Sequence, residues 1–196
     1  PHLVNIFRPS ILHYTYYNHL YERSYGSKVV ITVFDMIHEL YPQFFAPADT
    51  TRIRKLQAIR SADHIIAISQ STKNDLLEYF NLPDDKVSVV YLASSLKPLL
   101  IKQRPPKASK PYILYVGDRG GYKNFLSLLR AYAASKFLAD SFDLICVGGH
   151  PLGHNELAYI NTYLPRKDSV KRVSCDDALL SLYFSDATLL CYPSIC

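Results

Sequence analysis

The sequence predicts an α/β chain built on doubly wound parallel sheets, and three observations carry that prediction. Short β-branched and aromatic runs alternate with segments whose apolar residues recur at helical spacing. Several of the runs are apolar throughout, as suits strands covered on both faces. The alternation stops once, in a stretch rich in proline and cations, and then begins again.

Taken in order, residues 11–17, "ILHYTYY", read as a strand and lead into a Tyr-rich loop. "KVVITVFD", 28–35, is a continuous apolar strand ending at Asp35. Residues 49–62 form a helix whose inward stripe is predicted as Ile53, Leu56 and Ile59, with Ala62 close behind. "HIIAIS", 64–69, is the next strand. "SQSTKNDLLEYF" reads as a helix starting near Ser69 or Ser71, with Asp75 about its first turn and Leu76, Leu77 and Phe80 inward. After the turn "NLPDDK", "VSVVYL" (87–92) is a buried strand.

Residues 93–110 hold three prolines and five cations without clean periodicity, the mark of a linker. Beyond it come a strand at 112–117, a helix at 124–137, a strand at 142–149 and a helix around 153–163. A short strand at 170–174 follows, then a helix capped by Ser174 or Asp176, and a strand at 187–194. The expectation is two Rossmann-like doubly wound parallel-sheet domains, 1–92 and 111–196, both incomplete. The chain reads as a partial sequence, because it opens on Pro1 and stops just after an apolar run.

Composition fits an ordinary globular protein: 196 residues, 48% apolar and 20% charged. Net charge is +5 and the pI is about 9.0. That balance suits an anionic partner, such as a phosphorylated ligand, an acidic membrane surface or nucleic acid. Nucleic acid is the poorest fit, since the cations are dispersed along the chain. The four cysteines form no C-x-x-C pair, and Cys146 and Cys191 read as buried thiols of a reducing compartment. No metal site is expected. No apolar run reaches the roughly 18 residues of a membrane helix, and no signal peptide is visible.

Ligands of open α/β sheets bind beyond the carboxyl ends of the strands, so the loops after Val33, Ser69, Gly117, Val147 and Pro193 are the ones to inspect. "GDRGGYKN" is the richest. Gly120 and Gly121 let a ligand approach the backbone, a helix starting near Asn124 aims its free N–H groups there, and Arg119 and Lys123 supply charge. Neither G-x-G-x-x-G nor the P-loop pattern fits, since Tyr122 stands where the second P-loop glycine belongs. On the residues alone, an anion site and a solvated loop both remain open.

"YILYVGDRGGYKNFLSLLRAYA" resembles the start of the donor domain of family 4 GT-B glycosyltransferases, with its Y-V-G-x-R-x-x-x-K-N-like segment. "VVITVFDMIHELYP" is similar to that family's V-T-V-H-D-M-I-x-E segment. "RSADHIIAISQSTKNDLLEYF" is similar to its A-D-x-I-I-A-V-S-x-x-T-K-x-D-L run, and "SLYFSDATLLCYPS" to its L-Y-x-x-A-x-x-x-x-Y-P-S approach to the donor site. The likeness covers nearly the whole chain in the expected order. It implies an acceptor-side domain at 1–92, a linker at 93–110 and a donor domain at 111–196.

The resemblance also implies transfer of a sugar, with mannose as the candidate, from a GDP- or UDP-linked donor to a glycan or lipid-linked acceptor, with retention of configuration and without cofactor or metal. Arg119 and Lys123 would hold the donor diphosphate. Gly117, Gly120, Gly121, Gly148 and Gly149 would supply backbone approach, though a plain strand-end turn is the competing reading for the last two. Asp35 and Glu39 are the catalytic candidates, while His38 reads as a surface or loop residue. The setting implied is cytoplasmic, with peripheral contact at the inner face of a membrane.

Three departures bear on activity. Phe34 stands where the family has a histidine, the paired glutamates expected after "YPS" are not reached, and the family's first glycine-rich strand and turn are missing. An inactive nucleotide-sugar-binding or structural remnant is therefore the alternative, and a sugar-nucleotide epimerase ranks lower.

Overall fold

The computed structural model describes residues 9–17, 26–96 and 104–196. The chain divides into two compact units, Pro1–Ala93 and Ser94–Cys196. Each is built on its own four-stranded, wholly parallel sheet.

In the first unit, β1 (Ile11–Tyr14), β2 (Lys28–Val33), β3 (His64–Ala67) and β4 (Val87–Val89) lie side by side in chain order. Between them run α1 (Ile37–Leu40), α2 (Thr51–Ser61) and α3 (Gln70–Phe80). Val29, Ile31 and Val33, at period two on β2, join Ile65, Ala67, Ala58, Ile59 and Leu76 in one core. α3 starts where Ser69 accepts a hydrogen bond from Thr72 N–H at 3.1 Å, a serine N-cap of the expected kind. Asp75 lies beyond the first turn of that helix.

Two expectations for this unit need correction. The inward stripe of α2 is Lys55, Ala58 and Ile59, whereas Ile53 is 58% exposed. A hydropathy pattern gives a lysine no reason to point inward, and here its ammonium finds a carboxylate below the helix. The strand expected over 87–92 is regular only over Val87–Val89, with one further bond from Val90 N–H to the Ala67 carbonyl at 2.9 Å, and Val90, Tyr91 and Leu92 are exposed.

The second unit contains β5 (Tyr112–Val116), β6 (Asp143–Val147), β7 (Val170–Val173) and β8 (Leu189–Leu190), in the order β7-β6-β5-β8. Its helices are α4 (Phe125–Ala134), α5 (Lys136–Ser141), α6 (His154–Tyr163) and α7 (Asp177–Asp186). The sheet is covered on both faces. Ile113, Tyr115, Leu144 and Cys146 pack under α4 and α6, while Tyr112, Leu114, Ile145 and Val147 pack against Tyr183 of α7.

The helix expected over 124–137 is two helices. Ser135 adopts an extended backbone and its hydroxyl accepts from Leu138 N–H, so it ends one helix and caps the next. The strand expected over 187–194 reduces to Leu189–Leu190, both exposed, and Cys191 is half-buried while Cys146 is fully buried. Residues 104–110 of the expected linker pack on this unit: Ala108 is buried, and Ser109 donates to Asp143 at 2.9 Å. Residues 97–103 of that linker lie outside the described residues.

Candidate functional site

The order β7-β6-β5-β8 means that the chain winds outward from β5 through β6 and β7, then returns to the other side of β5. The reversal falls between β5 and β8. In doubly wound sheets the crevice at that switch point is where ligands bind. The two loops that meet there are residues 117–124, after β5, and 191–195, after β8.

Their contact is close. Ile195 N–H donates to the Tyr122 carbonyl at 2.9 Å, and the Asn124 side-chain amide donates to the Pro193 carbonyl at 3.2 Å. Lys123 Nζ donates to the Tyr192 hydroxyl, and it sits 4.9 Å from the Tyr122 ring centroid and 4.8 Å from that of Tyr192. Burial acts to lower the Lys123 pKa. The Tyr192 hydrogen bond and the neighbouring Tyr122, Tyr192 and Cys196 groups outweigh it, so the net shift is upward and the side chain stays a cation. Gly117 has φ +122, and a Cβ there would meet no atom within 4 Å, so the space beside the backbone is open. α4 begins at Phe125, with its N-terminal N–H groups next to the same turn.

Arg119 is placed differently from Lys123. Its side chain is only 6% exposed and lies in an ion pair with Glu156, Nε to Oε1 at 2.8 Å. Nη2 donates to the carbonyls of His150 and Pro151 at 2.5 and 3.0 Å, and Nη1 to that of Gly148 at 3.3 Å. The guanidinium therefore ties the strand-end turn after β6 to the start of α6. Gly149 makes this approach sterically feasible, since a Cβ there would lie 3.1 Å from Arg119 Nη1. Glu156 also accepts from Gly153 N–H at 2.6 Å, closing the helix start. Gly120 and Gly121 begin the short 3-10 turn that carries Lys123.

In the first unit, the carboxyl end of β2 holds the other candidates. Asp35 is 43% exposed at its side chain, and its Oδ1 accepts from Ile37 N–H at 3.1 Å, which starts α1. Glu39 and Lys55 form an ion pair at 2.6 Å with both side chains fully buried. Lys55 Nζ also donates to the Asp35 carbonyl at 2.8 Å and lies 5.3 Å from the Tyr17 ring centroid. The Tyr17 hydroxyl accepts from Phe34 N–H at 3.2 Å, and the Thr72 hydroxyl donates to the Phe34 carbonyl at 3.2 Å. The 34–36 loop is thereby held from β1, α2 and α3 sides at once. His38 stacks on Phe45. Among the described residues, no group of three or more His, Cys, Asp or Glu could hold a metal ion.

The residues that sequence reasoning missed are Lys55, Glu156 and Tyr192. Tyr192 lies in a segment already marked by "YPS", and Glu156 stands at the third position of a helix, where capping acids recur. For Lys55 the sequence carries no comparable signal.

Residues 2–93 match the family model for glycosyltransferase family 4. Among curated proteins, O-antigen chain mannosyltransferase RfbU of Salmonella typhimurium is 28% identical over 168 residues, covering 84% of this chain and 45% of that protein. A glycosyltransferase from Rickettsia africae superposes with a TM-score of 0.61 at 16% identity, over 98% of this chain and 53% of its own. WaaG, a glycosyltransferase involved in lipopolysaccharide biosynthesis, gives 0.58 at 14% identity, over 86% and 53%. The catalytic domain of starch synthase IV from Arabidopsis thaliana gives 0.59 at 13%, over 98% and 54%.

At such identities the structural likeness is one of fold, and the fold is that of the GT-B glycosyltransferases. Within that class, residues 2–93 match family 4, and the curated relative, at 28% identity, is a mannosyltransferase. It spans about half the length of the relatives it matches.

Proposed function

We propose that this chain is part of a retaining glycosyltransferase that moves a sugar from a nucleotide-sugar donor to a glycan or lipid-linked acceptor. The single observation that carries the reading is the switch point of the second unit, where an open glycine turn, a helix N-terminus and the Lys123 cation converge. A diphosphate is the anion that such a turn accommodates. Lys123 and backbone N–H groups meet it directly, and Arg119 fixes the neighbouring turn and offers what remains of its fork.

Sugar transfer leaves negative charge on the departing phosphate, and a fixed cation in a closed crevice stabilises that charge without a metal. In a retaining transfer a donor phosphate oxygen takes the acceptor's proton, so no pair of carboxylates is required. The exposed carboxylate of Asp35 is available to an acceptor hydroxyl. Glu39, fully buried, acts on this loop through Lys55.

Mannose is supported by the name of the Salmonella relative, and the donor is GDP- or UDP-linked. The Arabidopsis structure is bound to ADP and acarbose, which supports a nucleoside diphosphate and a glycan as the kinds of ligand. A cytoplasmic place at the inner face of a membrane goes with the basic charge and a lipid-linked acceptor. Among the described residues, no helix is long and apolar enough to cross a membrane. Phe34, an apolar ring where the family has a histidine, favours the second reading, a protein that binds the donor without transferring it.

Calorimetry with GDP and UDP tests the donor site. Lys123→Ala should weaken binding by about 1.5–3 kcal/mol, the value of a charge-assisted hydrogen bond. Equal affinity in the variant would refute the assignment. A radiolabelled transfer assay on the full-length protein then separates transfer from binding alone.

A further inference from the structure

A hollow of ≈ 410 Å³ opens in the first unit on the segment that follows β2, lined by His38, Pro42, Gln43, Phe45, Asp49 and Arg52 among others. The His38 ring stacks on Phe45, with centroids 3.7 Å apart and planes 20° apart. His38 Nε2 lies 3.6 Å from an Asp49 carboxylate oxygen. His38 Nδ1 is buried and has no hydrogen-bond partner among the described residues. Hydrogen bonds from Thr51 hold the Asp49 carboxyl below its ordinary pKa, so it is ionised at neutral pH. Arg52 adds a cation to the same lining and donates to the Tyr79 hydroxyl at 2.8 Å.

The chemistry of this lining selects its occupant. One anion and one cation leave the rim near neutral, which gives no net attraction to a phosphate. Proline and aromatic surface suits the C–H face of a ring. The Gln43 amide and the Asp49 carboxylate offer hydrogen bonds in several directions, as hydroxyl groups require. Apolar walls with a few convergent polar groups are the make-up of a small-molecule site, and this volume lies in the usual range of about 300–1,000 Å³. The hollow also lies beyond the carboxyl end of β2, on the loop side where open sheets take ligands, in the same segment as Asp35.

We infer that the His38–Phe45 hollow is a carbohydrate subsite, taking a sugar ring of the acceptor. This rests on the glycosyl-transfer reading above. The test is a backbone amide NMR titration of the chain with methyl α-D-mannopyranoside, and in separate arms with inorganic phosphate and with GDP. The sugar should move amides within 38–52, and Asp49→Asn should weaken that response about tenfold, as expected for a lost charge-assisted hydrogen bond. No sugar response at 38–52, a phosphate response there in its place, or equal affinity in Asp49→Asn would each overturn the inference. Gln43→Ala, at an exposed position, serves as a second variant that does not disturb the stacked pair. GDP shifts around 117–124 without any sugar response at 38–52 would sink the subsite alone. The reverse pattern would sink the donor reading alone.

Discussion

Single residues in this protein carry more structure than their hydropathy announces. Lys55 is the plainest case: its ammonium sits in a fully buried pair with Glu39, and a second bond to the Asp35 carbonyl fixes the loop beyond β2. Removing one partner of such a pair strands the other charge, at a cost of about 3–5 kcal/mol. Lys55→Ala should therefore lower the free energy of unfolding in urea by that amount. The double change Lys55→Met with Glu39→Leu should recover much of the loss. If the double variant is no more stable than the single one, the pair is not the cause. Gly149 has the opposite requirement, no side chain at all. Its φ of +64 and the 3.1 Å approach of Arg119 Nη1 mean that Gly149→Ala adds left-handed strain of about 1–2 kcal/mol and pushes the guanidinium aside. A fall in thermal midpoint with weakened GDP binding would show both effects.

Among the elements, boundaries follow local chemistry where a side chain can cap a helix. Ser69 caps α3, Asp176 caps α7 by accepting from Leu179 N–H at 2.9 Å, and Ser135 both ends α4 and caps α5. Two of these starts were legible in the sequence as polar residues before apolar repeats. The break at Ser135 was not, because the apolar pattern runs on through Phe137. Ser69→Ala should reduce stability by about 1 kcal/mol. It should also loosen the Phe34–Met36 loop, since the Ser69 hydroxyl is 2.9 Å from that of Thr72, which in turn holds the Phe34 carbonyl. Faster amide exchange at 34–40 in the variant is the expected result, and unchanged exchange would separate cap from loop. The strands show the limit of reading by composition. "VSVVYL" is as apolar as β6, yet the regular strand is only Val87–Val89, with one further bond from Val90 N–H to the Ala67 carbonyl, because pairing depends on what lies alongside and not on the run itself.

At the largest scale, long-range polar groups close the sheet of the second unit. Asp143 begins β6 fully buried and receives Arg166 at 3.0 Å, Lys171 at 2.8 Å and Ser109 at 2.9 Å. Burial acts to raise its pKa, but the hydrogen bonds from Lys171, Ser109 and Arg166 together win and leave it lowered. A carboxyl with a lowered folded-state pKa stabilises the fold fully above the unfolded value of about 3.9, and that contribution is lost as pH falls through the folded value. Acid should therefore destabilise the wild type, and Asp143→Asn should be less stable at neutral pH with a flatter acid dependence. Identical acid profiles for the two proteins would rule this out. Burial pushes the Cys146 thiol up to about 12, which keeps it an inert core residue at any physiological pH.

The sequence by itself determined the alternation of strands and helices, the restart after the proline-rich stretch and the glycine turn with its cations. All of these are local: side-chain periodicity, turn chemistry and permitted φ values act within a few residues. Only the tertiary structure decided which of the candidate loops meet. The return of β8 to the far side of β5 brings Lys123 to Tyr192 across 69 residues of chain, while Arg119, four residues before Lys123, is drawn 37 residues away to Glu156. Two cations that read alike in the sequence thus face different partners, because strand order sets the neighbours of a loop and no local pattern encodes it.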